Sequence, residues 1–147
     1  IRRHAPDHVI ARISWLYGPG GPSFVHAMLK LADGSRPLLK VVNDQRGNPT
    51  STLAVARKLG EILEHPELVG TFHLTCEGVA SWYDFAREIF RLRGIDQKVE
   101  PCTTAEFPRP APRPANSALE KRMLRFTGLA PMPEWHDALR EFLEGEI

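Results

Sequence analysis

A polar loop and the start of the helix after it carry side chains suited to hold a ligand. The loop covers residues 43–49, and Gln45 within it and Thr50 just beyond it offer an amide and a hydroxyl. Such groups can hydrogen-bond to the edge of a pyrimidine, and a helix start attracts a phosphate. The alternative is a capped turn, because Asn48-Pro49 is a typical turn dipeptide. We favour ligand binding for Gln45 and Thr50 only.

A second candidate is Arg113, which lies in the proline-rich segment 107–114. Proline disfavours helix at the residue before it, so the segment must be extended and holds the arginine at a defined place. A guanidinium there could pair through two hydrogen bonds with a diphosphate. The alternative is a surface arginine that binds a carboxylate. Asn116 could assist the arginine or could equally cap the next helix.

Composition argues against several classes of protein. The chain has 147 residues, 42% of them hydrophobic and 25% charged, which is ordinary for one domain with a core. A formal net charge of +1 does not favour a nucleic acid or an anionic membrane as partner. No apolar run approaches the ~18 residues that cross a bilayer. The histidines are scattered, and Cys76 and Cys102 lie far apart, so we predict no metal site and two free thiols.

Alternating strand and helix patterns predict an α/β fold, with too few strands for a complete doubly wound sheet. Ser23 and Ser81 are suited to cap the helices that follow them, and Gly94 is suited to end the second of these. The predicted strands are 9–14, 38–42, 70–76 and 99–103, and the predicted helices are 24–32, 53–65, 82–92, 117–125 and 134–144.

Six short strings that span most of the chain occur in the order found in one enzyme family. They are Arg12 to Gly18, Phe24-Val25 with Met28-Leu29, Val42 to Thr50, Gly70 to Leu74, Ser81 to Ala86, and Arg113 to Ser117. Together they resemble the C-terminal half of the dTDP-4-dehydrorhamnose reductases, an extended branch of the short-chain dehydrogenase/reductases.

The resemblance implies a fold and an activity. Residues 1–147 would form a single substrate-binding domain, the C-terminal part of an extended short-chain dehydrogenase fold whose N-terminal Rossmann half is missing. Complete members reduce dTDP-4-dehydro-L-rhamnose to dTDP-L-rhamnose with NADPH or NADH, in the cytoplasm. The alternative is a non-catalytic binding or regulatory module, similar to the regulatory subunit of methionine adenosyltransferase.

The motifs that would bind the cofactor and donate a proton do not occur in this sequence. None of the 11 glycines forms the G-x-G-x-x-G or G-x-x-G-x-x-G loop that lets a backbone approach a dinucleotide. The family's proton donor belongs to a Tyr-x-x-x-Lys motif, whereas Tyr17 and Tyr83 have Gly21 and Arg87 at that spacing. We therefore expect this chain alone to bind no cofactor and to have no reductase activity.

The resemblance also implies roles for single residues. Trp15 would pack its indole face against the sugar, although without the resemblance it would be interpreted as a core tryptophan at a strand end. Ser14 would lie near the nicotinamide, or would be a solvated or locally bonded hydroxyl. The polar loop would hold the nucleotide of the dTDP-sugar. The predicted substrate-binding residues are therefore Trp15, Gln45, Thr50, Arg113 and Asn116, and the predicted cofactor-binding residue is Ser14.

Two further expectations concern packing. One stripe of the helix 82–92 carries Trp82, Phe85, Ile89 and Leu92, which we assign to the core. Strand 9–14 would pair on both sides in a complete parallel sheet, so in this chain it exposes an unpaired edge. The expected partners, besides the nucleotide-sugar, are the missing N-terminal half or a second copy at that edge.

Overall fold

The computed structural model describes residues 1–145, in which one to three strands precede each of the first four helices and a fifth helix ends the order. This confirms the predicted α/β class. The strands are β1 (Val9–Arg12), β2 (Leu16–Tyr17), β3 (Leu39–Val42), β4 (Arg46–Gly47), β5 (Thr50–Ser51), β6 (Gly70–His73), β7 (Ala80–Ser81) and β8 (Val99–Cys102). The helices are α1 (Phe24–Leu31), α2 (Thr52–Leu63), α3 (Trp82–Arg93), α4 (Arg122–Thr127) and α5 (Trp135–Gly145).

Within residues 1–145 the strands pair two by two. β1 runs parallel to β6, β2 to β5 and β3 to β8, whereas β4 and β7 are antiparallel. In the first pair Val9 lies opposite Gly70 and Arg12 lies opposite His73. Parallel neighbours need a long connection, and helices supply much of it here. One edge of β1 has no strand partner among the described residues.

The helix ends lie where capping residues occur. The hydroxyls of Ser23 and Ser51 cap α1 and α2. Ser81 and Asp84 form a reciprocal capping box at α3, with each backbone N–H 3.0 Å from the other's side-chain oxygen. Gly94 ends α3 with φ 62°, a left-handed conformation that favours glycine. The predicted caps at Ser23 and Ser81 and the predicted stop at Gly94 are confirmed.

Aromatic side chains link the helices in the core. The buried Tyr17 ring lies 5.5 Å from Phe85 of α3 and 5.3 Å from Phe142 of α5, measured between ring centroids. Phe85 and Ile89 are fully buried, so their assignment to the core is confirmed. Trp82, from the same predicted stripe, is only half-buried although it packs against the core.

The predicted helix 117–125 is wrong in its first part, because α4 begins only at Arg122. Two backbone N–H groups of this region instead donate to the chain that leads into α2. Ser117 N donates to Arg46 O, and Leu119 N donates to Asn48 Oδ1, each at 2.8 Å. These tertiary hydrogen bonds replace the helical ones, which the local sequence pattern alone could not reveal. Strand 9–14 also stops early, at Arg12.

Candidate functional site

A cavity of about 650 Å³ lies between α1, β3 and the chain that follows β8. Its size is within the range of roughly 300–1,000 Å³ that is usual for small-molecule sites. A second depression at the end of α3 measures only about 160 Å³. The larger cavity is lined by Phe24, Ala27, Met28, Leu31, Arg36, Leu38, Leu39, Lys40, Val41, Val42, Gln45, Trp82, Phe107, Arg109 and Arg113.

The charge of this lining is entirely positive. Arg36, Lys40, Arg109 and Arg113 contribute cations, and no aspartate or glutamate is among the lining residues. The Arg109 guanidinium lies 4.7 Å from the centroid of the Phe107 ring, a cation–π distance. Because the four cations meet no carboxylate in the wall, the cavity attracts anions.

Residues 103–117, which we call the strap, carry three of the lining side chains. The strap includes the proline-rich segment and returns to the body of the protein at β4. There Arg46 N donates to Ala115 O and Ser117 N donates to Arg46 O, each at 2.8 Å. Arg113 is exposed and lines the cavity, which is compatible with the predicted diphosphate contact. Its role stays a prediction.

Trp15 and Trp82, which we call the tryptophan pair, stack with their ring centroids 3.5 Å apart and their planes 5° apart. Trp82 lines the cavity, whereas Trp15 lies behind it and is not among the lining residues. Trp15 Nε1 donates to Ser117 Oγ at 3.0 Å, and its φ of 49° is a strained backbone value for an aromatic residue. Gly47 leaves the space that the indole occupies. The predicted sugar contact of Trp15 stays a prediction.

Gln45 lines the cavity but engages both ends of its amide with other side chains. Its Oε1 accepts from Trp82 Nε1 at 3.2 Å, and its Nε2 donates to Thr104 Oγ1 at 3.0 Å. The side chain is 9% exposed. Both polar ends of the amide are therefore hydrogen-bonded within the protein, and the predicted contact of Gln45 with the substrate stays a prediction.

Thr50 is fully buried and is not among the residues that line the cavity. Its hydroxyl donates to Asn48 O at 2.8 Å and accepts from Cys76 N at 3.3 Å. The Asn48 side chain is buried as well and accepts from Leu119 N. This arrangement matches the capped-turn interpretation of the loop, and it offers no support for the ligand contact predicted for Thr50.

Ser14 and Asn116 also lie outside the cavity wall. The Ser14 hydroxyl is buried, with no hydrogen-bond partner among residues 1–145. The Ser14 hydroxyl is therefore neither solvated nor locally bonded, which were the alternatives to its contact with the cofactor. Asn116 is exposed, and its Oδ1 accepts from Ala118 N at 2.9 Å, as in a local turn rather than a helix cap.

Hydrogen bonding or burial favours one protonation state for each of three side chains, Asp44, Cys76 and Tyr17. Hydrogen bonds from the Thr104 side chain and backbone lower the pKa of Asp44. Burial raises the pKa of the Cys76 thiol, and burial raises the pKa of Tyr17 far above its usual value, so both stay protonated at neutral pH.

Residues 1–145 contain no group of three or more His, Cys, Asp or Glu able to hold a metal ion. None of the described helices combines the length and apolarity needed to cross a membrane.

Several side chains of the cavity wall were not predicted from the sequence. Arg36, Lys40 and Arg109 were not singled out, and Trp82 was assigned to the core alone. One signal was available in β3, where Leu39 and Val41 are buried and Lys40 between them is exposed. This alternation places the lysine on a different face from its neighbours. The sequence gives no comparable signal for Arg36 or Arg109.

Comparison with known proteins places these features in context. The profile of the RmlD substrate binding domain matches residues 1–146. A dTDP-4-dehydrorhamnose reductase structure from Clostridium acetobutylicum is 49% identical, with TM-score 0.90 over 96% of this chain and 49% of that one. The equivalent Bacillus anthracis structure, in complex with NADP, is 35% identical with TM-score 0.89, over 96% of this chain and 49% of its own.

The spore coat polysaccharide biosynthesis protein SpsK of Bacillus subtilis is 40% identical over 98% of this chain and 50% of its own length. The chain therefore spans about half the length of the relatives it matches. Agreement with these structures confirms the predicted architecture, the C-terminal part of an extended short-chain dehydrogenase fold.

Proposed function

We propose that this chain, which belongs to the family of RmlD substrate-binding domains, binds the nucleotide-sugar substrate of a dTDP-4-dehydrorhamnose reductase. The proposed reaction of the complete protein is the reduction of dTDP-4-dehydro-L-rhamnose to dTDP-L-rhamnose by NADPH or NADH. Residues 1–147 would serve as one substrate-binding domain within it. We expect the enzyme in the cytoplasm, as the resemblance implies.

The observation that carries this proposal is the combination of positive charge and aromatic surface in one cavity. A nucleotide-sugar needs cations for its diphosphate and flat apolar surfaces for its base and sugar. The cavity offers both, because four cations share it with Phe24, Trp82 and Phe107. Its volume of about 650 Å³ leaves room for a ligand of this size.

We assign the diphosphate to the strap. Arg113 and Arg109 both line the cavity from a proline-rich backbone, in which the fixed φ angles of the prolines limit movement. A guanidinium binds two phosphate oxygens at once, which favours a diphosphate over a single negative charge. Trp82 offers a flat surface for a sugar or base, with Trp15 stacked behind it.

The residues of this chain do not fit a complete dinucleotide site. None of its 11 glycines forms the loop that a pyrophosphate requires. One group that could face a nicotinamide is Ser14, because its buried hydroxyl has no hydrogen-bond partner among the described residues. We therefore place most of the cofactor site, and the proton donor, outside these residues, and we derive no chemical step from this chain.

The test is calorimetric titration of the chain with dTDP, with thymidine as the ligand that lacks the diphosphate. We expect dTDP to bind and thymidine to bind at least tenfold more weakly, since charge-assisted hydrogen bonds contribute about 1.5–3 kcal/mol. Arg113→Gln should weaken dTDP binding by about tenfold or more, on the same grounds.

The matched control for Arg113→Gln is Arg122→Gln. Arg122 is an exposed arginine of α4 that lies over the Phe126 ring and is not among the cavity residues. This variant should bind dTDP as tightly as the wild type. Equal affinity of the wild type for dTDP and thymidine would refute the proposed role of the cavity.

A further inference from the structure

We propose that Gln45 is a positioning residue, which fastens the base of the strap to the tryptophan pair and so holds the arginines of the strap over the cavity. This inference rests on the proposed function, because it explains how the same cavity keeps its shape for a nucleotide diphosphate. It assigns Gln45 a role through Trp82 and Thr104 in place of the direct contact with a base that its sequence predicted.

A series of side-chain hydrogen bonds crosses from α3 to the strap. Trp82 Nε1 donates to Gln45 Oε1 at 3.2 Å, and Gln45 Nε2 donates to Thr104 Oγ1 at 3.0 Å. The Thr104 hydroxyl then donates to Asp44 Oδ1 at 2.6 Å. Four side chains from three separate parts of the sequence are thereby joined.

The direction of each of these hydrogen bonds is determined by the groups at the two ends of the series. An indole nitrogen can only donate, and an ionised carboxylate can only accept. The Gln45 oxygen must therefore face Trp82, and the amide nitrogen must face Thr104. The threonine hydroxyl donates a hydrogen bond to Asp44 and accepts one from Gln45. Hydrogen bonds aligned in one direction polarise and strengthen one another, so a break at one point weakens the others.

The series of hydrogen bonds reaches the strap at Thr104. Thr104 N donates to both Asp44 oxygens, at 3.0 and 2.9 Å, and Thr104 O accepts from Phe107 N at 3.2 Å. Phe107 is the first cavity-lining residue of the strap, and its ring lies under the Arg109 guanidinium. The orientation of Gln45 is thus linked, through one threonine, to a cation of the cavity.

The far end of the strap is held by the other member of the tryptophan pair. Trp15 Nε1 donates to Ser117 Oγ, while Trp82 binds Gln45. Because the two indoles stack at 3.5 Å, both ends of the strap are tied to one rigid aromatic unit. Asp44 alone would hold the base of the strap without linking it to the tryptophan pair. The arginines of the strap could then shift relative to Trp82, which would cost ordering entropy when an anion binds.

The experiment uses Gln45→Met, which keeps the side-chain length without its hydrogen bonds, and Thr104→Val, which removes only the hydroxyl. Thr104→Ser retains the hydroxyl and should rescue the effect. Thr127→Val is the matched control, because its hydroxyl bonds within α4, to Met123 O and Leu124 O. Each variant is titrated with dTDP, and the indole N–H resonances of the three tryptophans are recorded.

We expect Gln45→Met to weaken dTDP binding by about tenfold and Thr104→Val by about threefold, the scale of one or two hydrogen bonds. The variant that carries both Gln45→Met and Thr104→Val should bind dTDP no more weakly than Gln45→Met alone, because both changes interrupt the same series of hydrogen bonds. Thr104→Val should also shift the Trp82 indole resonance, although Thr104 reaches that ring only through Gln45. Thr104→Ser and Thr127→Val should bind dTDP within twofold of the wild type.

Two failures are distinguishable. If the wild type binds dTDP and both Gln45→Met and Thr104→Val bind it equally well, the positioning role is overturned and the proposed function stands. If the wild type does not bind dTDP, the proposed function fails and the positioning role fails with it. An unmoved Trp82 resonance in Thr104→Val would overturn the link between the strap and the tryptophan pair, whatever the affinities.

Discussion

Replacing Gly47 with alanine should break the tryptophan pair, and the size of the effect follows from the space around Trp15. A Cβ at position 47 would lie 2.3 Å from Cε2, 2.5 Å from Nε1 and 2.8 Å from Cζ2 of that indole. Carbon atoms pack at about 3.5–4.0 Å, so the ring must move by more than ~1 Å. Such a shift would disturb its close stacking on Trp82 and the hydrogen bond to Ser117.

The expected loss of stability is about 2–4 kcal/mol. Overpacking of a buried site typically costs about 1–3 kcal/mol. A stacked aromatic pair contributes about 0.5–1.5 kcal/mol beyond its buried area, and a hydrogen bond contributes about 1 kcal/mol. These losses overlap, since one movement of Trp15 causes all of them. For a chain of 147 residues the midpoint of thermal unfolding should fall by roughly 10 °C.

The assay is urea unfolding followed by circular dichroism, with Gly60→Ala as the matched control. Gly60 lies inside α2, is exposed, and has no atom within 4 Å of an added Cβ. Alanine should stabilise that helix by about 0.5–1 kcal/mol. The same substitution thus has opposite expected signs at the two sites. A Gly47→Ala protein as stable as Gly60→Ala would refute the account of how the tryptophan pair is held.

Three other outcomes can be measured. Tyr17→Phe should leave stability unchanged or raise it by up to ~1 kcal/mol in the same urea assay, because the buried hydroxyl has no hydrogen-bond partner among residues 1–145. A clear loss of stability would contradict this. Lys58→Met should lower the free energy of unfolding by about 1–3 kcal/mol, since the Lys58 side chain is 7% exposed and its ammonium donates to Ala130 O at 2.7 Å. Unchanged stability would contradict this. Hydrogen bonding lowers the pKa of Asp44 in the folded state, so its contribution to stability is complete above pH ~4 and is lost as the pH falls through the lowered pKa. In Asp44→Asn the free energy of unfolding should accordingly fall less steeply as the pH is lowered. An unchanged pH dependence in the acid range would contradict this.

Much of the architecture could be read from the sequence because local signals decide it. Ser23, Ser81 and Gly94 mark helix ends through short-range hydrogen bonds and backbone conformation, and each lies where it was predicted. The buried stripe of α3 follows from the helical period. The family also followed from the sequence, because six strings in one order are specific even when each string alone is weak.

The tertiary structure decided what each side chain in the site touches. Thr50 and Gln45 looked alike in the sequence, as polar groups beside one helix start. In the fold Thr50 is fully buried and bonds to Asn48 and Cys76, whereas Gln45 faces the cavity. Strand pairing and the strap set this difference, and both depend on residues far apart in the chain.

The contacts of Trp82 could not be predicted from the sequence either. Helical periodicity gives the face of a helix but not what lies opposite that face, so a tryptophan at the end of a buried stripe was assigned to the core. Its partners are Trp15, 67 residues earlier, and Gln45, 37 residues earlier. Such contacts arise only when the chain closes on itself. The sequence therefore determined the family and most of the longer elements, while the short strands, the late start of α4 and the wall of the cavity were decided by tertiary contacts.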